Sequence, residues 1–219
     1  MKRINALAKM VPDNSRVIDI GCDHGYLGIE LINENRGISV ISSDISSNAL
    51  QFAKKNILQA NVNGIDLRVG NGLSVVTKNE IDTIVIAGMG AHTQIEILKS
   101  GLEKLDSVKT IILSPNDGSF YIRNNLNLIN YHIDDEEIIF ENGKFYTILK
   151  LCKGFNEYTY AQMLMGPVLL KKQDELFFKY YETILTKKEK ILENLPKKYS
   201  KKISLTKKDV KIIKKYLRK

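Results

Sequence analysis

Asp19-Ile20-Gly21-Cys22-Asp23-His24-Gly25-Tyr26-Leu27 follows a short β-branched run at residues 16–20 (RVIDI) and opens a stretch of helical spacing over residues 26–34. A strand, a glycine-bearing turn and a helix in that order form the context of a nucleotide-binding loop. Glycine at position 21 lets the backbone approach a ligand where a Cβ would obstruct it. A dinucleotide loop would read GxGxxG, but the residue two places after Gly21 is Asp23. Asp19 and Asp23 would repel a pyrophosphate and attract a cation. S-adenosylmethionine (SAM) carries a sulfonium and an ammonium and no phosphate, so it suits this loop better. A tight turn with incidental acids is the plainer alternative.

Strand-like runs at 38–43, 65–69, 81–87 and 108–113 alternate with helical stretches at about 46–60, 92–99 and 120–128, after a short amphipathic helix at 2–10. Ser46 is placed as an N-cap and Gly101 as a C-cap. Strict alternation predicts a mostly parallel sheet with helices on both faces. The rhythm then changes. Runs at 131–140 and 144–152 flank Glu141-Asn142-Gly143, and Asn-Gly there is a hairpin signal. An α/β sheet closing on an antiparallel hairpin is the arrangement of class I, Rossmann-like methyltransferases rather than of a dinucleotide fold. From about 160 the apolar spacing predicts one long helix broken at Pro196, then a second at 205–217, a coiled-coil-like helical hairpin. The expected division is a Rossmann-like catalytic domain at 1–156 and a basic helical domain at 157–219.

Ligands in open α/β sheets bind outside the carboxyl ends of the strands. That criterion picks out Asp19, Gly21, Cys22, Asp23 and His24 after the first strand, and Asp44 with Ile45 after the second. It adds Asn71 and Gly72 after the third, and Ala87, Gly88 and Met89 at the end of the fourth. Asp44 lies 23 residues beyond Gly21, a spacing that suits hydrogen bonds to ribose hydroxyls. Asn71-Gly72 reads equally well as an adenine contact or as a plain turn. His92 opens the helix after Gly88-Met89-Gly90, as a cap.

The formal charge of +8 is unevenly placed. Residues 1–159 hold 16 Lys plus Arg against 19 Asp plus Glu, a net −3; residues 160–219 hold 17 against 6, a net +11. A basic tail on an acidic body points to a polyanion, with nucleic acid the commonest; a solvated lysine-rich helix fits the same charge. No window approaches eighteen apolar residues, and the N-terminal segment is too interrupted for a signal peptide, so neither a membrane partner nor export is expected. Cys22 and Cys152 are expected to be free thiols in a reducing cytosol, and they lack metal-ligand spacing, so no metal is expected.

DIGCDHGYL (19–27), the NGL turn (71–73), IAGMG (86–90), LSPN (113–116) and the lysine-rich helical end together resemble the bacterial TrmK family, tRNA (adenine(22)-N1)-methyltransferases. The resemblance runs over nearly the whole chain. It implies a cytoplasmic enzyme, expected as a monomer, that uses SAM to methylate N1 of an adenine in tRNA. The chain departs from the family pattern at Asp44, Asn71 and Ala91, where glutamate, aspartate and glycine are common. Adenine N1 has its own lone pair, so useful groups would position the base or stabilise the cationic product ring. Asp23, Asn116 and His24 are the candidates. Ser114-Pro115-Asn116 and Tyr26 are candidate substrate contacts: an amide and a carbonyl near Ser114 could accept from the adenine amino group, and an aromatic such as Tyr26 or Tyr121 could stack on an extruded base. Lys197 and Lys198, between the last two helices, would meet tRNA phosphates. Three other readings compete. An NAD-dependent oxidoreductase is disfavoured by Asp23. A non-catalytic RNA binder is disfavoured by the intact loops, and a small-molecule methyltransferase by the basic tail.

Overall fold

In the computed structural model, which describes residues 1–218, Ser15–Ile20 forms strand β1, an interior strand of a seven-stranded sheet. Val17 and Ile18 are fully buried and Ile20 nearly so. A strand covered on both faces needs such a continuous apolar run rather than an alternating one. The parallel neighbours of β1 are β2 (Gly37–Asp44) and β4 (Thr83–Ala87), which pair in turn, also parallel, with β3 (Ile65–Val69) and β5 (Thr110–Ser114). β6 (Tyr131–Glu141) and β7 (Lys144–Lys153) close the sheet in the order β3-β2-β1-β4-β5-β7-β6, with β7 antiparallel to both β5 and β6. Asn142 and Gly143 both take positive φ, 51° and 76°, as the two-residue turn between paired Glu141 and Lys144 requires. The expected α/β sheet with an antiparallel hairpin is therefore the observed one.

Helix α1 (Lys2–Met10) places Leu7 and Ala8 in a core with Leu27, Leu31, Val85, Ile112 and Ile148. Burying side chains of this kind stabilises by about 1.5–3 kcal/mol each for the larger ones. α2 (Tyr26–Asn33), α3 (Ser47–Gln59), α4 (Ala91–Ser100) and α5 (Ser119–Asn125) follow strands β1, β2, β4 and β5. Ser46 caps α3 by accepting from the Ala49 N–H. Gly101 does follow α4, but its φ is −121°; a Cβ there would meet Leu73 at 2.6 Å, so close packing rather than a left-handed cap demands the glycine. Deep in this unit, Arg123 donates to Glu136 at 2.7 Å with both side chains buried.

The chain divides into two compact units, 1–157 and 158–219. In the second, the helix expected from about 160 is broken. α6 (Tyr160–Met165) stops at Gly166, with φ 84°, before Pro167; α7 (Leu169–Lys172) ends at Gln173, with φ 42°; and only α8 (Glu175–Asn194) is long. Apolar spacing alone reads through these breaks, whereas Gly-Pro and the Asp174 N-cap, which accepts from the Phe177 N–H, mark them. α9 (Ser200–Leu217) begins five residues earlier than its apolar spacing suggests. Asp209, 6% exposed, accepts from Tyr160 Oη and from Lys188 Nζ, both at 2.7 Å, and so ties α6, α8 and α9 together.

Candidate cofactor and target-base site

The carboxyl ends of β1, β2 and β4 surround a cavity of about 330 Å³, within the usual range for small-molecule sites. Asp19, Gly21, Cys22, Asp23 and His24 line it from the β1 loop, Asp44 from β2, and Ala87, Gly88 and Met89 from β4. Tyr26 and Leu27 on α2, and Arg3, Ile4 and Leu7 on α1, complete the wall.

The loop after β1 folds as its sequence dictates. The Gly21 and Cys22 N–H groups both donate to the Ser43 carbonyl, at 2.8 and 3.0 Å, which folds the loop back over β2. Gly21 sits at φ 75°, and a Cβ there would lie 2.2 Å from the Met89 methyl. Asp44 is fixed by two backbone donors: Asp23 N–H to Oδ2 at 3.2 Å and Ser46 N–H to Oδ1 at 2.9 Å. Each carboxylate oxygen keeps a lone pair for a further donor. Asp19 is 4% exposed; burial first, and the Asp44 charge second, push its carboxyl from the ordinary 3.8 up to about 7. The same two influences, burial first and then Asp19 and Asp44, hold the Cys22 thiol well above its usual range. Two carboxylates facing one pocket repel each other unless a cation lies between them. The donor set therefore fits a ligand that brings positive charge and ribose hydroxyls, as SAM does, and not a pyrophosphate.

Beside this cavity the loops after β4 and β5 are laced together. Asn116 donates from Nδ2 to the Gly88 carbonyl at 2.6 Å and from its backbone N–H to the Met89 carbonyl at 2.9 Å. Gln94, fully buried on α4, donates to that same Met89 carbonyl at 3.2 Å. The Asn116 amide nitrogen is thus engaged within the protein, which aims Oδ1 away from Gly88. The Ser114 carbonyl accepts from Gly88 N–H and from Arg3 Nη2, both at 3.0 Å. Both its lone pairs are used, so the carbonyl expected to receive an adenine amino group is instead a structural acceptor. Arg3 also donates to Ser114 Oγ and lies 4.4 Å from the Tyr146 ring centroid, and burial lowers its pKa.

Some expected residues lie elsewhere. Ile45, Asn71, Gly72, Ser114, Pro115 and Asn116 are outside the cavity lining, although Asn116 is one hydrogen bond from Gly88. Ile45 is 73% exposed at the end of β2, and Asn71 and Gly72 begin a 3-10 turn after β3. Lys197 and Lys198 form a 3-10 turn between α8 and α9 in the second unit. His92 makes no capping bond; it stacks on Tyr121 with centroids 5.2 Å apart. Arg3 is a cavity residue that the motifs do not reveal. Its signal is an arginine four residues before Leu7, on the apolar face of α1, where a charge needs a reason.

Comparison with known proteins agrees with this arrangement. The family model described as "TrmK: tRNA (adenine(22)-N(1))-methyltransferase" matches residues 17–215. The Bacillus subtilis tRNA (adenine(22)-N(1))-methyltransferase is 33% identical over 201 residues, 89% of this chain and 84% of that one. The Streptococcus pneumoniae protein Sp1610, solved in complex with S-adenosyl-L-methionine, superposes with a TM-score of 0.90 at 30% identity over 99% of both chains. Mycoplasma capricolum TrmK, solved with S-adenosyl-homocysteine, gives 0.85 at 27% identity over 100% of this chain and 97% of that one. With a family model matching residues 17–215 and a relative 33% identical over 89% of its length, this chain belongs to the TrmK family of tRNA (adenine(22)-N(1))-methyltransferases.

Proposed function

We infer that this enzyme transfers the methyl group of SAM to N1 of adenine 22 in tRNA. The observation that carries the reading is the acid-lined cavity at the carboxyl ends of β1, β2 and β4, flanked by the Asn116 loop. Bound SAM supplies an electrophilic methyl group on a sulfonium. We assign Asp44 to the ribose hydroxyls, since its oxygens retain acceptor capacity, and Asp19 to the cationic methionine portion. Gly21, Gly88 and Met89 supply close-fitting wall.

Adenine N1 carries a lone pair, so no side chain has to deprotonate it. The chain's work is positioning and charge stabilisation. Asn116 Oδ1, oriented by the bond from Nδ2 to Gly88, is available to accept from the adenine N6 amino group, which would distinguish adenine from a base with a carbonyl there. Asp23 presents an exposed carboxylate at the cavity wall, with His24 Nε2 3.5 Å away, where it offsets the positive charge of a methylated ring. The second unit carries Lys207, Lys211, Lys215 and Arg218 along one groove of its helices, and Lys197 and Lys198 in the turn before α9; we assign these to tRNA phosphates, which position the RNA without reading sequence. Work on tRNA implies a cytoplasmic enzyme.

The test is methyl transfer from labelled SAM to an unmodified tRNA transcript, with the product nucleoside mapped. The expected product is 1-methyladenosine at position 22, absent when that adenine is replaced by guanine. Methyl transfer to another position, or none, overturns the assignment.

A further inference from the structure

Phe52 is an apolar ring 57% exposed on the outer face of α3, an exposure that a monomeric surface rarely repeats among neighbours. Here it is not solitary. Its centroid lies 5.8 Å from His24, edge on, and His24 lies 5.7 Å from Tyr26, itself 41% exposed. His24 and Tyr26 line the cofactor cavity, whereas Phe52 stands outside it. The three rings therefore run from the cavity wall onto the protein surface.

The cluster is held in place. Asn56, one turn beyond Phe52 on α3, donates from Nδ2 to the His24 carbonyl at 2.9 Å and pins the β1 loop to the helix. The charge on the same helix suits a polyanion. The unit 1–157 carries more acid than base, yet α3 contains Lys54 and Lys55 and no acidic residue. Lys55 lies three positions from Phe52, on the same helix face. Exposed rings interleaved with lysines form the stacking platform that single-stranded nucleotides use, the ring faces taking bases and the cations the backbone.

Resting on the methyltransferase reading, we propose that Phe52, with His24 and Tyr26, is a base-stacking platform for a tRNA nucleotide adjacent to the target adenine, and that Lys55 meets its phosphate. A base stacked there would hold the RNA in register while the target enters the cavity alongside.

The test is steady-state methyl transfer by the full-length enzyme to a tRNA transcript, comparing Phe52→Ala, Phe52→Leu and Phe52→Trp. Phe52→Ala should raise KM for tRNA by about tenfold or more, as loss of one stacked base does, with kcat at saturating tRNA and the SAM Kd both unchanged. Phe52→Trp should restore KM and Phe52→Leu should not, because only an aromatic stacks. In parallel, 2-aminopurine placed beside adenine 22 should be quenched on binding to the wild type and not to Phe52→Ala. An unchanged KM in Phe52→Ala, or equal rescue by leucine, overturns the platform. If the wild type quenched the probe but transferred no methyl group, the functional reading would fail while the platform stood.

Discussion

Replacing Asp19 with asparagine should make the ligand-free protein more stable and its cofactor binding weaker and less pH-sensitive. The sign follows from the direction of the shift. Asp19 is buried, and its carboxyl titrates near 7 in the folded chain against about 3.8 ordinarily. Between those values the folded state holds a proton that the unfolded state has released, so stability falls as pH rises through the interval. Below about pH 4 both states are protonated and no penalty exists. Above about 7 the penalty is complete, on the order of 4 kcal/mol at about 1.4 per pKa step. A neutral amide in that place would abolish it, so Asp19→Asn should raise the apparent melting temperature at pH 8 by roughly ten degrees and leave it nearly unchanged at pH 4.

SAM binding should run the other way. Its cationic groups favour the ionised carboxylate, so binding must expel the proton whenever Asp19 holds one. With a ligand-free pKa near 7, the ionised fraction rises about 25-fold between pH 5.5 and 7.5, and the SAM Kd should tighten by that factor. The ligand's amino group stays largely charged over this window. Asp44, Asp23, His24, Tyr26, Arg3 and Cys22 share the cavity, and among them Asp44 is the charge that acts with burial to raise Asp19. Isothermal calorimetry in two buffers of different ionisation enthalpy counts the released proton directly. At pH 6 it should approach one per SAM in the wild type and vanish in Asp19→Asn. A flat Kd with no proton release would refute both the cationic contact and the raised carboxyl.

Asn116→Ala should lower kcat on tRNA by about tenfold to a hundredfold while SAM affinity changes little, since one hydrogen bond to the reacting base and one to Gly88 are lost; equal turnover would remove Asn116 from the target-base site. Asp44→Ala should weaken SAM by at least about tenfold in calorimetry, because the ribose acceptor and the bonds from Asp23 and Ser46 go together. Changing Lys207, Lys211 and Lys215 to glutamine should weaken tRNA binding at every sequence and reduce the slope of log K against log salt by roughly two to three, with SAM affinity intact. Glu136→Ala should cost about 3–5 kcal/mol in a denaturant titration, since it removes one partner of a buried ion pair with Arg123.

What can be read from the sequence follows from the range of the forces concerned. The β-branched runs at β1, β4 and β5, the Asn142-Gly143 turn and the Ser46 cap are set by neighbours within a few residues, and they appear where local chemistry puts them. The acidic β1 loop and Asp44 are legible for a related reason: a parallel sheet brings its carboxyl ends together, so residues at those ends converge once the strands are known. Arg3 is not legible. Its partners, Ser114 and Tyr146, are more than a hundred residues away, and only the packing of α1 against the finished sheet joins them. The same limit applies to Asn116, whose sequence position suggests a strand-ending turn but whose hydrogen bond to Gly88 orients its amide. In the second unit the difference is local: lysine-rich apolar spacing conceals the Gly166-Pro167 break.

The two signs of charge belong to two ligands of opposite charge. A cationic cofactor needs a cavity with carboxylates near its positive groups, and the first unit is net acidic, with Asp19, Asp23 and Asp44 around one pocket. A tRNA is a polyanion, and that same acidity would repel it at the moment the target base must enter. Concentrating basic charge in residues 160–219 supplies attraction from a separate compact unit, while the cavity-bearing unit stays net acidic. Inside the acidic unit, α3 carries Lys54 and Lys55 and no acidic residue, beside Phe52 at the approach to the cavity. If a neighbouring nucleotide stacks there, local cations screen the RNA backbone from the acidic wall over the last few ångströms. Lys55→Glu would then be more damaging to tRNA KM than Lys55→Ala, and raising salt would narrow the gap between them.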